Sequence, residues 1–274
     1  MNDTYEVVEL VQGFPGRSTR HGVLGWSSVT LLRGTDRLVL VDSGSFGMRA
    51  VLAQRLAEHG VEPGDVTDVL LSHTHHDHAA NYLLFPGAAV HVGAAELAWA
   101  QAVGPAFGPV PELYVKDLAT NPRTRPIETG PDARCRVVPG VTAVAAPGHT
   151  PGSLVFLVEG TAGPVLFTGD AAKNRAELLS GDVDMTTDRD ASRRTLALIT
   201  ALWRERPGAV VVPGHDVPLV WPEGRDHPEY LGVREAGIQA WFGDDLATTH
   251  DVDLARTRRV GDTGGADWPR RPKE

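Results

Sequence analysis

Short apolar runs separated by polar, Gly- and Pro-containing segments recur along most of the chain. Brief β-branched runs predict strands, and longer stretches with apolar residues three and four positions apart predict helices. In the first half the predicted strands are Val7–Val11, Ser28–Arg33, Arg37–Val41, Val66–Leu71 and Ala88–Val92, and the predicted helices are Met48–His59 and Ala94–Ala102. In the second half the predicted strands are Arg134–Val138, Val141–Ala145, Leu154–Val158, Val165–Thr168 and Ala209–Val212, with a helix over Ser192–Arg206. The pattern therefore predicts two similar halves, each built of strands and helices.

The pattern changes at two places. Between the halves, Gly104–Asp132 is rich in Pro and Gly, and we expect it to cover the mouth or the flank of a site. Beyond residue 222 the pattern weakens, so we expect one domain over 1–222 and a C-terminal extension over 223–274. In that extension Arg234–Phe242 predicts a short helix and Thr257–Glu274 a polar tail. Trp241 and Phe242 would pack on the parent domain or form a homodimer contact.

Composition is consistent with a soluble protein that can bury a large core. The chain has 274 residues, is 42% hydrophobic and carries a net charge of −9. An acidic chain repels polyanions, so nucleic acid is a disfavoured partner and a small molecule a favoured one. There is no apolar run near the length of a membrane span, and Met1–Tyr5 lacks the features of a signal peptide. A cytoplasmic protein without a membrane partner is the expectation.

Four histidines and one aspartate lie within His73–His78, an HxHxDH motif. Imidazole nitrogens and carboxylate oxygens suit zinc, and also iron or manganese. His73 and His75 follow a predicted strand in an extended segment, so both face one point. Asp77 and His78 follow at a change of direction and can face a second point nearby. Two adjacent metals are therefore predicted, against the alternative of a solvated, His-rich loop.

Three further candidate ligands come where a strand gives way to a loop. His149 lies in the Gly- and Pro-containing turn Pro147–Ser153, Asp170 ends the run Leu166–Asp170, and His215 ends Val210–His215. A single strand-end His or Asp is commonly a turn residue. Their common position after strands supports a shared site.

In this order the motifs resemble those of the metallo-β-lactamase superfamily, over roughly Tyr5 to Trp221. The resemblance implies an α/β fold, an αββα four-layer sandwich of two mixed β-sheets flanked by helices, with a metal-dependent hydrolase domain over 1–222. It implies that one metal is held by His73, His75 and His149. It implies that the other is held by Asp77, His78 and His215. Asp170 would bridge the two, and Asp42, in the family's early strand-end position, would orient a ligand histidine.

The resemblance and the ligand chemistry together predict hydrolysis by two divalent cations, most consistent with Zn²⁺, with Fe or Mn as alternatives. Two cations about 3.5–4 Å apart can share a hydroxide, because coordination lowers the pKa of bound water toward about 7. The bridging hydroxide would attack a carbonyl carbon, and the cations would stabilise the developing charge. Asp77 would steer the hydroxide or carry a proton to the leaving group, so Asp77 and Asp170 are the candidate catalytic residues.

Residues that differ from those typical of known subgroups of the superfamily narrow the predicted substrate class. A bridging Asp170 argues against β-lactam hydrolysis, and Asp170–Asn174 (DAAKN) lacks the bulky apolar pair typical of glyoxalase-II-like enzymes. Quorum-quenching lactonases carry a Tyr where this chain has Lys173. An ammonium there can bind a carbonyl, carboxylate or phosphate oxygen, so Lys173 is the candidate substrate residue; the alternative is a solvated loop lysine.

Small ester, lactone or thioester hydrolysis is therefore the predicted function, and two alternatives stay open. One is a phosphodiesterase or ribonuclease, because RNA-processing members share the bridging Asp and the Phe85–Ala89 and Val211–Pro218 segments are similar to an animal member associated with RNA cleavage. The acidic charge opposes it. The other is a non-catalytic metal-binding protein, which the complete ligand set disfavours.

Overall fold

Strands and short helices alternate along the chain in the computed structural model, which describes residues 4–18, 20–104, 108–130 and 133–255. The first strands are β1 Glu6–Val11, β2 Arg17–Ser18, β3 Gly22–Val23, β4 Val29–Arg33, β5 Leu38–Val41, β6 Asp68–Leu70, β7 Ala89–Gly93 and β8 Thr124–Ile127. The later strands are β9 Arg134–Val138, β10 Val141–Ala145, β11 Leu154–Gly160, β12 Gly163–Gly169, β13 Val210–Pro213, β14 Leu219–Val220, β15 Glu229–Tyr230, β16 Gly237–Ala240 and β17 His250–Asp253. The α-helices are α1 Arg49–Glu58, α2 His76–Ala79, α3 Ala94–Val103, α4 Glu112–Thr120, α5 Arg175–Ser180 and α6 Arg189–Arg204.

Two mixed sheets dominate the described residues. One has the strand order β1-β4-β5-β6-β7-β8, antiparallel at β1, β4 and β5 and parallel from β5 to β8. The other has the order β15-β14-β13-β12-β11-β10-β9 and is antiparallel except between β12 and β13. In the first sheet β5 therefore runs parallel to β6, and in the second sheet β12 runs parallel to β13. The loops at the carboxyl ends of these four strands contain candidate site residues.

The sheets pack face to face through one core cluster. Leu32, Val39 and Leu70 of the first sheet share this cluster with Phe156 and Phe167 of the second. Successive residues of a strand point to opposite faces, so Val39 enters this core and Leu40 packs on the helical side. Two-sided burial explains why these strands read as nearly continuous apolar runs.

Helices cover the outer face of each sheet. On the first sheet, Leu52 of α1, Leu97 of α3 and Leu118 of α4 are buried in a cluster with Leu40. On the second sheet, Ile199 and Trp203 of α6 are buried over the strands. The order helix, sheet, sheet, helix is the predicted αββα sandwich, which is confirmed.

Helix α6 shows why the three helices predicted in the two halves were right in position and differ at their ends. Its buried residues repeat three and four positions apart, as in Thr195, Ile199 and Leu202. It begins at Arg189 rather than Ser192, because the Asp188 side chain accepts a hydrogen bond from the Ala191 N–H at 2.9 Å and caps it.

Two segments differ from their sequence-based description. The Pro- and Gly-rich segment between the halves contains helix α4 and strand β8, for which no element was predicted. The helix predicted over Arg234–Phe242 is wrong. Gly237–Ala240 instead pairs antiparallel with His250–Asp253. Gly237 disfavours a helix interior, and Ile238 pairs with Val252 across the two strands.

By internal contacts the chain divides into a unit over Met1–Gly232 and a unit over Val233–Glu274. The first unit holds both large sheets, since β15 pairs with β14 beyond residue 222. The described part of the second unit contains the β16–β17 pair. No helix among the described residues has both the length and the apolar character that crossing a membrane requires.

Candidate metal centre

The loop after β6 carries the HxHxDH residues and is almost fully buried. His75 is extended, with φ −65° and ψ 152°, and is the N-cap residue of α2. Helix α2 begins at His76, so Asp77 and His78 lie in its first turn. His73 and His78 are both completely buried. The extended segment therefore carries His73 and His75, and the first turn of the helix carries Asp77 and His78.

The other ligand candidates come from loops of the second sheet. Asp170 directly follows β12, His215 follows β13 after one residue, and His149 lies in the turn between β10 and β11. Gly214 lets the β13 loop approach: a Cβ there would lie 2.5 Å from Oδ1 of Asp170 and 2.6 Å from the Gly169 carbonyl oxygen. A side chain at this position would push the two strand ends apart.

The structure brings all seven predicted ligands into one cluster at the edge of the two sheets. Within it, three groups of donor atoms each lie within 4.8 Å of one another: His73, His75 and His149; His73, His78 and Asp170; and Asp77, His78 and His215. Oδ2 of Asp170 lies 3.2 Å from Nε2 of His149. Its Oδ1 lies 3.1 Å from Nε2 of both His78 and His215. Asp170 thus stands between the first and the last group.

Hydrogen bonds on the far side of two imidazoles leave their inner nitrogens available as ligands. Nδ1 of His78 lies 2.8 Å from Oδ2 of Asp42. Nδ1 of His215 lies 3.0 Å from the Trp26 carbonyl oxygen. A carbonyl or carboxylate oxygen accepts, so in both rings Nδ1 carries a proton and Nε2 faces the cluster.

Orphaned buried atoms test whether the cluster fits metal ions. Nε2 of His73 and Oδ1 of Asp170 are buried without a hydrogen-bond partner among the described residues. A buried polar atom left unsatisfied costs about 1–3 kcal/mol. A bound cation would remove this cost at both atoms. Neutral imidazoles and carboxylates are also the donors that zinc prefers, so the residues fit two divalent cations.

The ligand histidines differ in the direction in which their pKa is shifted. Burial lowers the pKa of His75 to about 3 and that of His149 to about 4, so both are neutral and able to ligate at neutral pH. Burial also acts to lower the pKa of His215, but the carboxylates of Asp170 and Asp77 outweigh it and raise the pKa to about 9. The two carboxylates therefore favour a positive charge at the His215 ring. Either a proton or a bound metal ion can supply that charge.

A cavity of about 380 Å³ opens beside the cluster. Its lining includes Pro15, Arg17, Pro109, Lys173 and Met185 together with several of the ligand residues. Pro109 belongs to the Gly104–Asp132 segment, which was expected to cover the mouth of the site. The cavity gives a small molecule access to the ligand cluster.

Lys173 lines this cavity, with its ammonium held in place. Nζ lies 2.7 Å from Oε1 of Glu177, and the Lys173 side chain is 13% exposed. Glu177 also accepts a hydrogen bond from the Lys173 N–H at 2.8 Å and one from the Asp184 N–H at 3.2 Å. Lys173 is therefore an ordered cation rather than a solvated loop lysine. Sequence reasoning did not identify Glu177, although its spacing of four residues from Lys173 was an available signal.

Several other histidines and aromatic residues lie outside the three donor groups. Nε2 of His91 lies 2.8 Å from Oδ1 of Asp68, and Phe85 is completely buried in the core. Trp26 stacks on Phe14 with ring centroids 4.9 Å apart. His76 lines the cavity without joining any of the three donor groups. Sequence reasoning also missed Glu96, a buried acid that is the one charged residue in the apolar helix α3.

A four-layer sandwich with converging histidine and aspartate donors at the edge of its sheets defines a metal-dependent hydrolase. The chain belongs to the metallo-β-lactamase superfamily, whose family model matches residues 24–215. Human metallo-beta-lactamase domain-containing protein 1 is 30% identical over 219 residues, which are 77% of this chain and 70% of that protein.

Two lactonases are also similar to the chain. The N-acyl homoserine lactonase AttM of Azorhizobium caulinodans is 32% identical over 183 residues, covering 62% of this chain and 65% of the lactonase. A solved dizinc quorum-quenching lactonase in complex with a product matches with a TM-score of 0.59 and 18% identity, over 77% of this chain and 80% of its own. At that identity the structural likeness shows the shared fold.

Proposed function

We propose that the chain hydrolyses a small carbonyl substrate, an ester, lactone or thioester, at a centre of two divalent cations, with zinc as the native metal. The observation that carries the proposal is the position of Asp170, whose two carboxylate oxygens face His149 on one side and His78 and His215 on the other. A carboxylate so placed can serve both cations. The similarity to AttM, an N-acyl homoserine lactonase, adds support for a lactone substrate.

We assign the ligands to the two cations as the family resemblance implies. One cation would be held by His73, His75 and His149. The other would be held by Asp77, His78 and His215, and Asp170 would contact both. When bound, two such cations supply a nucleophile from water at neutral pH and a Lewis acid for the carbonyl oxygen. The remaining steps fall to side chains of this chain.

Asp77 is the proposed proton carrier. Its side chain is 14% exposed and lines the cavity, and its Oδ2 lies 3.3 Å from Nε2 of His215. It therefore reaches both the ligand cluster and the space where a leaving group would lie. A carboxylate in this position can take a proton and pass it to the departing alkoxide or thiolate.

Lys173 is the proposed substrate residue. An ammonium has three N–H donors, and the ion pair with Glu177 fixes its direction. A second N–H can donate to the substrate carbonyl oxygen as negative charge develops there. The same donor would accept a carboxylate or phosphate on the substrate, so Lys173 bears on specificity as well as on rate.

The test compares zinc- and manganese-loaded protein on a panel of lactones and aryl esters and on an activated phosphodiester. Asp170→Asn is the blank, and chelator-treated protein shows the dependence on metal. Lactone or ester turnover that disappears in both controls is the expected result. Turnover of the phosphodiester alone would overturn the carbonyl assignment, and full turnover after chelation would overturn the metal mechanism.

A further inference from the structure

Glu96 is a carboxylate buried where no counter-cation meets it. It lies in the first turn of α3 and has no exposed surface. No salt bridge joins it to a Lys or Arg in the described part of the chain. Burial raises its pKa, although hydrogen bonds from Thr150 and Thr74 act to lower it. Burying a carboxylate is costly, so its retention here requires strong local partners.

Those partners belong to the two loops that carry His73, His75 and His149. Oε1 of Glu96 accepts hydrogen bonds from the N–H of Thr74 at 2.9 Å and from its hydroxyl at 2.8 Å. Thr74 is the residue between His73 and His75. One oxygen of Glu96 therefore fixes the backbone between two ligands.

The second oxygen serves the other loop. Oε2 of Glu96 accepts a hydrogen bond from the Thr150 hydroxyl at 2.6 Å and from the Gly152 N–H at 3.2 Å. Thr150 directly follows His149. One carboxylate thus joins a loop of the first sheet to a loop of the second, with one backbone N–H and one hydroxyl from each.

The backbone around Glu96 is shaped for this contact. A Cβ on Gly152 would lie 2.0 Å from the Glu96 nitrogen, and a Cβ on Gly93 would lie 2.7 Å from the Gly152 carbonyl oxygen. Glycine at both positions lets the start of α3 touch the turn that carries His149. Packing this close holds the carboxylate at a fixed distance from both loops.

We propose that Glu96 is a positioning residue for the first metal, whose carboxylate sets the spacing of the Thr74 and Thr150 loops so that His73, His75 and His149 converge. The inference rests on the proposed two-metal function. It adds that affinity at this one site depends on a side chain that does not touch the metal. The second group, Asp77, His78 and His215, has no hydrogen bond to Glu96.

Glu96→Gln is the main test, since it keeps the size of the side chain. One carboxylate oxygen becomes an NH2 group, which faces the N–H of Thr74 or of Gly152, so one loop loses its acceptor. Metal-free protein is titrated with Co²⁺ and followed by its visible absorption, with Zn²⁺ affinities measured by chelator competition. We expect about 10–100-fold weaker binding of one of the two ions, the magnitude typical of an outer ligand contact.

Reference spectra identify the affected site. The Co²⁺ spectrum of Glu96→Gln should approach that of His149→Ala and differ from that of His215→Ala. Asp68→Asn is the matched control, because Asp68 is a buried carboxylate at the start of β6 with hydrogen bonds to Arg37, Thr67 and His91. It should bind both ions normally. Thermal melting without metal compares the stability of the variants.

Normal binding of both ions by Glu96→Gln would overturn the proposal, as would equal weakening in Asp68→Asn. If Glu96→Gln does not fold, Thr150→Val removes a single hydroxyl donor to Oε2 and should weaken the same ion. Failure of the unaltered protein to bind two Co²⁺ ions would instead refute the proposed function on which the inference rests.

Discussion

Oδ2 of Asp42 lies 2.8 Å from Nδ1 of His78, and Nε2 of the same ring lies 3.1 Å from Oδ1 of Asp170. Asp42 also accepts hydrogen bonds from the Ser72 N–H and hydroxyl, both at 2.8 Å. It adopts φ +58°, a left-handed conformation that aspartate tolerates better than most residues. The carboxylate therefore orients the imidazole and holds the proton of the neutral ring on Nδ1, which leaves Nε2 as the nitrogen that can bind a metal.

Asp42→Asn should weaken metal binding at the second group without changing the fold. If the new amide nitrogen faces His78, its N–H groups favour the opposite tautomer of that ring, in which Nε2 carries the proton and cannot ligate. We expect about a 10–100-fold lower affinity for one Zn²⁺, measured by chelator competition. Asp68→Asn serves as the control, and equal affinities in the two variants would contradict the orienting role of Asp42.

Gly214→Ala should displace Asp170. The new Cβ would lie 2.5 Å from its Oδ1 and 2.6 Å from the Gly169 carbonyl oxygen, and neither neighbour is the end of a long flexible side chain. We expect a loss of about 1–3 kcal/mol in the free energy of unfolding, measured by urea denaturation, together with weaker metal binding. Gly64→Ala is the matched control, because its Cβ would meet nothing within 4 Å. Wild-type metal affinity in Gly214→Ala would show that the loop can move without cost.

Lys173→Met should lower kcat if the ammonium stabilises charge on the carbonyl oxygen. Removing one such donor typically costs about 100-fold or more in kcat. The metal content should stay unchanged, which is checked by elemental analysis, and the exposed Lys116→Met is the control. A raised KM with unchanged kcat would show that Lys173 binds the substrate equally in the ground state and the transition state, and does not stabilise the charge that develops on the carbonyl oxygen.

The ligand cluster could be predicted from the sequence because its ligands lie in the HxHxDH motif or in loops and turns that follow strands. His73, Asp170 and His215 all follow apolar runs whose period and length predict buried strands. In the predicted sandwich the strands of both halves end at one edge, so the common position of these residues after strands suggested a shared site. The structure brings these side chains together as expected, and their roles stay predictions.

The residues that hold the ligand loops in place could not be predicted in the same way. Glu96 reaches partners 22, 54 and 56 residues away, and no local pattern encodes which loops a helix start will touch. Strand β16 was mistaken for part of a helix, because a short apolar run is compatible with either form and pairing with β17 decides between them. Local periodicity therefore predicted the layers and the ligands, and tertiary contact determined what holds them.

The buried hydrogen-bond network at the start of β6 should make the stability of the fold depend on acid pH. Oδ1 of Asp68 lies 2.8 Å from Nε2 of His91, and Oδ2 lies 2.7 Å from both the Arg37 guanidinium and the Thr67 hydroxyl. Burial acts to raise the pKa of Asp68, but these donors outweigh it and lower the pKa below its ordinary value. The folded state thus binds a proton at Asp68 less readily than the unfolded state.

Because the folded pKa is depressed, the Asp68 carboxylate stabilises the fold above the unfolded pKa of about 3.9, and this contribution falls as the pH drops through the folded pKa. Asp68→Asn lacks it. The free energy of unfolding of the unaltered protein should exceed that of the variant by about 1–3 kcal/mol at pH 7, and the difference should shrink below about pH 4. Urea denaturation of metal-free protein at several pH values measures this, since metal release then adds nothing. A difference that stays constant into the acid range would show that Asp68 acts by packing, because a charge-dependent contribution has to disappear when both states bind the proton.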